Sequence, residues 1–158
     1  MFVCAKDVNF QSIDIETKKS NWKARNLPRD DLNLVEKIFH VDCFFTGEST
    51  AYVLSGFNQI LLYDIRSQKK AIDSFSIKME EEGLLTSFAP FSGNSVVVGN
   101  NYGSLGVFDM RSQFKMVKKL NDSVGGITSV VGFRDNCENI KFMTSCLKSL
   151  IGSKFIGL

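Results

Sequence analysis

The sequence predicts an all-β fold built from small antiparallel sheets, and three observations carry that prediction. The first is a repeat. Residues 51–68 (AYVLSGFNQILLYDIRSQ) return as residues 96–113 (VVVGNNYGSLGVFDMRSQ), and placing Asp64 on Asp109 gives an ungapped offset of 109 − 64 = 45 residues. The second is the content of each copy: an apolar run, a turn holding Gly or Asn, a second apolar run, then aromatic-Asp and a basic exit. That order encodes a β-hairpin with its outer flank. The third is texture, since Val, Ile and 14 Phe fall in short runs with only 2 Pro, which favours strand over helix. A period in the forties made of paired strands points to a propeller array, because one small sheet cannot bury both faces alone.

Taken in order, residues 1–16 read as a half blade. Setting Asp14 on Asp64, an offset of 50, lays residues 2–6 on 52–56 and residues 10–15 on 60–65. Residues 17–37 are the least apolar segment and read as a basic linker between blades, where Pro28 argues against a long helix. The first full blade covers 38–78, with strands expected at 38–45, 51–55, 59–65 and 71–77. A solvated acidic loop follows. The second full blade covers 84–120, with strands expected at 85–90, 95–99, 104–110 and 115–120, and with turns at 92–94 and 100–103 where Gly and Asn tolerate positive φ. Residues 125–158 read as an incomplete blade with strands at 126–133 and 140–146, after which the repeat fails. Two full blades between incomplete ones form an arc, so the expectation is a partial propeller borrowed from a longer one, needing cover at its ends. Strands 59–65 and 104–110 are expected to be core on both faces, with Ile60, Leu62, Leu105 and Val107 on one side and Leu61, Tyr63 and Phe108 on the other.

Composition narrows the function classes. A formal net charge of +2 is too small to argue for nucleic acid on totals. No stretch approaches the roughly 18 apolar residues that span a membrane, and the amino terminus lacks a signal core, so no membrane partner is expected. Cys4, Cys43, Cys137 and Cys146 form no C-x-x-C pair and sit in or beside apolar runs, so they read as reduced, small hydrophobic residues. With His40 the only histidine, no metal-ligand cluster is expected. His40 beside Asp42 reads as a strand-edge pair, and no nucleophile elbow, phosphate loop or acid/base constellation can be assembled. The expectation is a protein that is not an enzyme, with no cofactor and no small-molecule substrate.

Aromatic-Asp closing the third strand at this period is similar to the WD-repeat family, with Tyr63 and Phe108 in place of the signature Trp and no Gly-His pair. A more specific likeness follows. Lys23-Ala24-Arg25-Asn26, the acidic and leucine-rich residues 30–34, residues 55–64 (SGFNQILLYD) and residues 93–100 (GNSVVVGN) occur in order. That series resembles the WD repeat-containing protein 74 family over residues 1–146, the carboxy-terminal half of its propeller. The resemblance implies a partial WD-repeat β-propeller and a non-enzymatic scaffold in ribosome biogenesis, acting in rRNA processing and large-subunit assembly. It implies residence in the nucleus and nucleolus. The implied partners are the pre-ribosomal large-subunit particle, through its proteins or its rRNA, and a nuclear AAA-type ATPase for release. Residues 147–158 depart from the family.

The binding candidates are cationic. Lys23, Arg25, Asn26 and Arg29 lie in the linker and suit rRNA phosphate or an acidic partner, although Asp30 and Asp31 offset the charge, as in any solvated connection. Trp22 is the only aromatic platform near them, which argues little for base stacking. Arg66 and Arg111 close two aromatic-Asp-x-Arg boxes that resemble the adaptor-docking box of cullin ligase substrate receptors. The plainer reading is that each Asp caps its turn and each Arg leaves into solvent. A generic interaction module of that kind, or a truncated chain without independent function, is the alternative to the ribosomal scaffold.

Overall fold

The computed structural model describes residues 1–26, 32–34, 37–79, 83–91, 93–120, 125–134, 140–146 and 154–157, with backbone alone from residue 133 onward. The chain divides into two compact units, residues 1–75 and 76–158. Among the described residues the regular structure is strand throughout, apart from one turn of 3₁₀ helix at Met110–Ser112.

The first unit opens with β1 (Phe2–Ala5), β2 (Val8–Ile13) and β3 (Ser20–Lys23), a three-stranded antiparallel meander. β3 falls inside the segment expected to be a linker, where Ser12 pairs with Trp22 and Gln11 with Lys23. Next come β4 (His40–Phe45), β5 (Thr50–Ser55), β6 (Gln59–Asp64) and β7 (Asp73–Ser76), a four-stranded meander. Phe10 of β2 is fully buried in an aromatic cluster between these two sheets, its ring centroid 5.7 Å from Phe2, 5.7 Å from Trp22, 5.6 Å from Tyr63 and 6.3 Å from Phe45. Ala24, Ala51, Val53 and Leu61 complete this core, and Cys4, Cys43 and Ala71 pack against it. Phe and Tyr rings at these separations gain both area burial and favourable edge-to-face contacts.

The second unit repeats the design with β8 (Leu85–Pro90), β9 (Ser95–Asn100), β10 (Leu105–Asp109) and β11 (Lys115–Leu120), another four-stranded meander. It ends with β12 (Ile127–Arg134), β13 (Ile140–Cys146) and β14 (Lys154–Gly157). β14 pairs with β13 in the tail where the sequence pattern fails. Ile127 and Val130 of β12 pack into a core with Ala89, Val97, Leu105, Val107 and Leu120. Ser87 Oγ accepts from the Val130 amide at 3.2 Å and stitches β8 to β12. Gly99 makes room for this packing, because a Cβ there would lie 2.8 Å from Ile127 Cγ2.

The first three strands of the two four-stranded sheets pair in the same register at the 45-residue offset, within each unit's own frame. Ala51 pairs with Tyr63 and Val96 with Phe108; His40 pairs with Ser55 and Leu85 with Asn100. Both first strands carry a bulge at the same step, leaving Val41 and Thr86 as the extra residues. Hairpin turns match too, with Asn58 at φ 61 and Gly103 at φ 96 in the left-handed region that these residues reach at little cost. β12 bulges again between Ile127 and Ser129, 127 − 85 = 42 residues after Leu85. The sequence there, Ile127-Thr128-Ser129, mirrors Leu85-Thr86-Ser87.

One core expectation needs correcting. Ile60, Leu61 and Tyr63 are buried to 2% exposure or less, whereas Leu62 is only half-buried. An acidic residue at position 62 therefore stays partly hydrated and costs less than the same change at Ile60 or Leu61.

Candidate functional site

The polar residues of the first unit converge at one end of its two sheets. Asn9 on β2, Arg25 and Asn26 just past β3, Lys37 to Phe39 on the approach to β4, His40 at its start, Ser55 ending β5, and Gln59, Leu61 and Tyr63 along β6 line one pocket. The space between these residues and its open mouth together come to about 330 Å³. The local fold explains the gathering. Ala24 is anchored by its amide to the Phe10 carbonyl at 2.8 Å, and the Arg25 amide donates to the Lys69 carbonyl at 2.7 Å, so the chain leaving β3 is held across the β6–β7 side. From the other direction the Asp7 amide donates to the Ile38 carbonyl at 3.0 Å and the Gly56 amide to the Phe39 carbonyl at 2.9 Å, which fixes residues 38–40 over the β5–β6 turn.

His40 and Ser55 are buried polar groups of the site, 6% and 4% exposed. One ring nitrogen of His40 donates to the Val8 carbonyl, and Nδ1 has no partner among the described residues. Burial pushes its pKa below the ordinary value, an effect that the Val8 hydrogen bond only partly offsets. The imidazole is therefore neutral at pH 7 and offers Nδ1 as a lone-pair acceptor. Asp42 does not hold that nitrogen, and its Oδ1 accepts from the Cys43 amide at 2.9 Å. No His–Asp dyad forms. Tyr63 at the pocket floor is 1% exposed, and desolvation pushes its phenol up to about 12, so it stays protonated.

The pocket combines two rim cations, Arg25 and Lys37, with side-chain amides, a hydroxyl and an aromatic floor. Chemically, such a set receives an oxygen-rich or anionic group by ion pairing and hydrogen bonding. It supplies no activated nucleophile. Among the described residues, no cluster of three or more His, Cys, Asp or Glu side chains is placed to hold a metal. No helix among them is long and apolar enough to cross a membrane.

Of the six sequence candidates, the structure brings Arg25 and Asn26 into this pocket. Lys23 is exposed on β3 outside it, and Arg29 lies outside the described residues. Arg66 and Arg111 are elsewhere and locally engaged. Asp64 Oδ1 accepts from the Arg66 amide at 3.0 Å, and the Arg66 guanidinium reaches Glu48 at 2.7 Å. Asp109 Oδ1 accepts from the Arg111 amide at 2.9 Å, and the Asn94 side-chain amide lies against the Arg111 guanidinium. Asp14, which aligns with both, likewise caps the Glu16 amide at 3.1 Å. The aspartates are turn caps, as their plainer reading expected, and each arginine folds back on its own sheet's first hairpin. Lys37, His40, Asn9 and Gln59 were not singled out as binding residues by the sequence. Their one linear signal is that His40 opens β4, the strand that follows the basic segment.

A scan against protein-family models finds no family that matches this chain, and a search of curated proteins finds none that matches it.

Proposed function

We propose that the sheets of this chain are blades of a WD-repeat β-propeller that serves as a non-enzymatic scaffold in the assembly of the large ribosomal subunit. The observation that carries the propeller reading is the exact-offset repeat of strands, register, bulge and Asp-capped turn between β4–β6 and β8–β10. Radially stacked four-stranded meanders are the architecture in which one such unit recurs about every 40–45 residues. The ribosomal part rests on the ordered motifs that resemble the WD repeat-containing protein 74 family. It places the scaffold in the nucleolus, on precursor large-subunit particles, with a nuclear AAA-type ATPase as its release factor. The pocket rimmed by Arg25 and Lys37 suits phosphate oxygens of rRNA or carboxylates of an assembly partner. The ligase-receptor alternative rests on the two Asp-x-Arg boxes alone, whose aspartates cap their own turns.

The test is affinity purification of the tagged chain from nuclear extract. Precursor large-subunit RNA should co-purify, and a doubly charge-reversed Arg25→Glu/Lys37→Glu variant should lose most of it while keeping the parent's melting curve. Eluates without that RNA would count against the ribosomal reading, and unchanged recovery by the double variant would remove the pocket from it.

A further inference from the structure

Two thiols that the polar pocket does not use meet across the two sheets of the first unit. The side chains of β1 and β4 face one another in antiparallel order. Phe2 rests on Phe45 with ring centroids 4.5 Å apart, and two residues further along each strand Cys4 meets Cys43, thiol hydrogen-bonded to thiol. Past the bulge at Val41, Lys6 bridges to Phe39 and the Asp7 amide donates to the Ile38 carbonyl at 3.0 Å. The thiol pair is therefore bracketed by contacts on both sides, with β1 shifting register against β2 between Val3 and Ala5 and Lys6 meeting Phe39 two residues out of step with Phe2 and Phe45. Both cysteines are free and half-buried at the edge of the aromatic core.

We propose that Cys4 and Cys43 form a reversible disulfide site, oxidised by a low-molecular-weight disulfide such as glutathione disulfide, that staples the first sheet to the second. Closing the hydrogen-bonded pair to a covalent S–S distance of about 2.05 Å requires thiol rotation and a short approach rather than a new arrangement of the sheets. The order of events follows from the pair's electrostatics. The Cys4 thiol donates to Cys43, which lowers the Cys43 pKa, and the same hydrogen bond, with burial and the neighbouring charge, raises that of Cys4. Cys43 is the first nucleophile. It loses its proton and attacks one sulfur of glutathione disulfide, breaking that S–S bond, forming a Cys43–glutathione mixed disulfide and expelling a glutathione thiolate. The Cys4 thiol then loses its proton, attacks Cys43 Sγ and expels the second glutathione thiolate. Two protein thiols are oxidised by two electrons, one glutathione disulfide is reduced to two glutathiones, and both protons end on them.

The full chain is incubated with glutathione disulfide, quenched with acid and digested with trypsin without reduction. The expected product is a loss of two hydrogens and a cross-link between peptide 1–6, carrying Cys4, and peptide 38–66, carrying Cys43. The same product should form in a Cys137→Ser/Cys146→Ser variant. In Cys4→Ser the reaction should stop at a stable glutathione adduct on Cys43. Oxidation should raise the melting temperature of the parent by about 5 °C or more, since it ties residues 4 and 43 together, and leave Cys4→Ser unmoved. Separate glutathione adducts on Cys4 and Cys43 without the cross-link overturn the proposal. So do linkage only to Cys137 or Cys146, and a Cys43 that reacts only after unfolding in urea.

Discussion

Replacing Phe10 with Ala tests the account of what holds the first unit together. The ring is fully buried and contacts Phe2, Trp22, Phe45 and Tyr63 at centroid distances of 5.6–6.3 Å. Truncation removes the transfer energy of a buried benzyl group and leaves a cavity that these strand-borne rings cannot close, so the loss is about 3–5 kcal/mol. Phe10→Leu keeps most of the volume and loses the ring pairing, for about 1–2 kcal/mol. Trp22, the only tryptophan, is itself in the cluster, 5.7 Å from Phe10 and 6.1 Å from Tyr63, so its emission reports on this core. In a urea titration with a slope near 2 kcal/mol/M, a 4 kcal/mol loss lowers the midpoint by about 2 M at unchanged slope. Phe57→Ala, at a ring 44% exposed on the β5–β6 turn, should shift it far less. A Phe10→Ala midpoint within about 0.3 M of the parent, with Trp22 emission unmoved, would falsify the packing of β2 against β6 as the source of that stability.

The remaining expectations concern titration, turns and backbone. His40 is held neutral by burial, its folded pKa below the ordinary value near 6.5, so the unfolded chain takes up its proton first as pH falls. Stability should drop as pH falls below 6.5 and toward the folded pKa, and His40→Gln should flatten that slope in melts between pH 7.5 and 5.5. Asp109→Ala removes the cap on the Arg111 amide and should cost about 1 kcal/mol in denaturant titration, with Asp64→Ala similar. Arg66→Gln breaks only the exposed contact to Glu48 and should change stability by less than about 0.5 kcal/mol. Gly126→Ala drives a methyl into the Asn101 carbonyl oxygen, backbone against side chain with no rotamer to relieve it. Its loss should be about 2 kcal/mol or more by the same titration.

Residues 51–68 and 96–113 carry their hairpins in plain view because turn chemistry and strand alternation are local. Asn58 and Gly103 mark the turns, Asp64 and Asp109 mark the exits, and the strands at Leu85–Pro90, Lys115–Leu120 and Ile140–Cys146 fall at the residues expected. Four-stranded antiparallel sheets follow from that pattern, since sequential strands joined by short turns pair with their neighbours. β3 and β14 were hidden because short edge strands rich in polar or irregular sequence take their pairing from a partner strand rather than from their own periodicity. The bulges at Val41 and Thr86 were hidden for a related reason, as one extra residue changes register without changing composition.

The candidate site divides along the same line. Arg25 and Asn26 stand out linearly as part of a basic run. Their joining to Lys37, His40, Asn9 and Gln59 depends on residues up to 50 positions apart meeting at one sheet end. The neutrality of His40 and the meeting of Cys4 with Cys43 also come from desolvation and cross-sheet distance. Linear order records which side chains are available and how each short stretch prefers to bend. Proximity between distant strands, and the charge state that burial imposes, exist only once the sheets have packed.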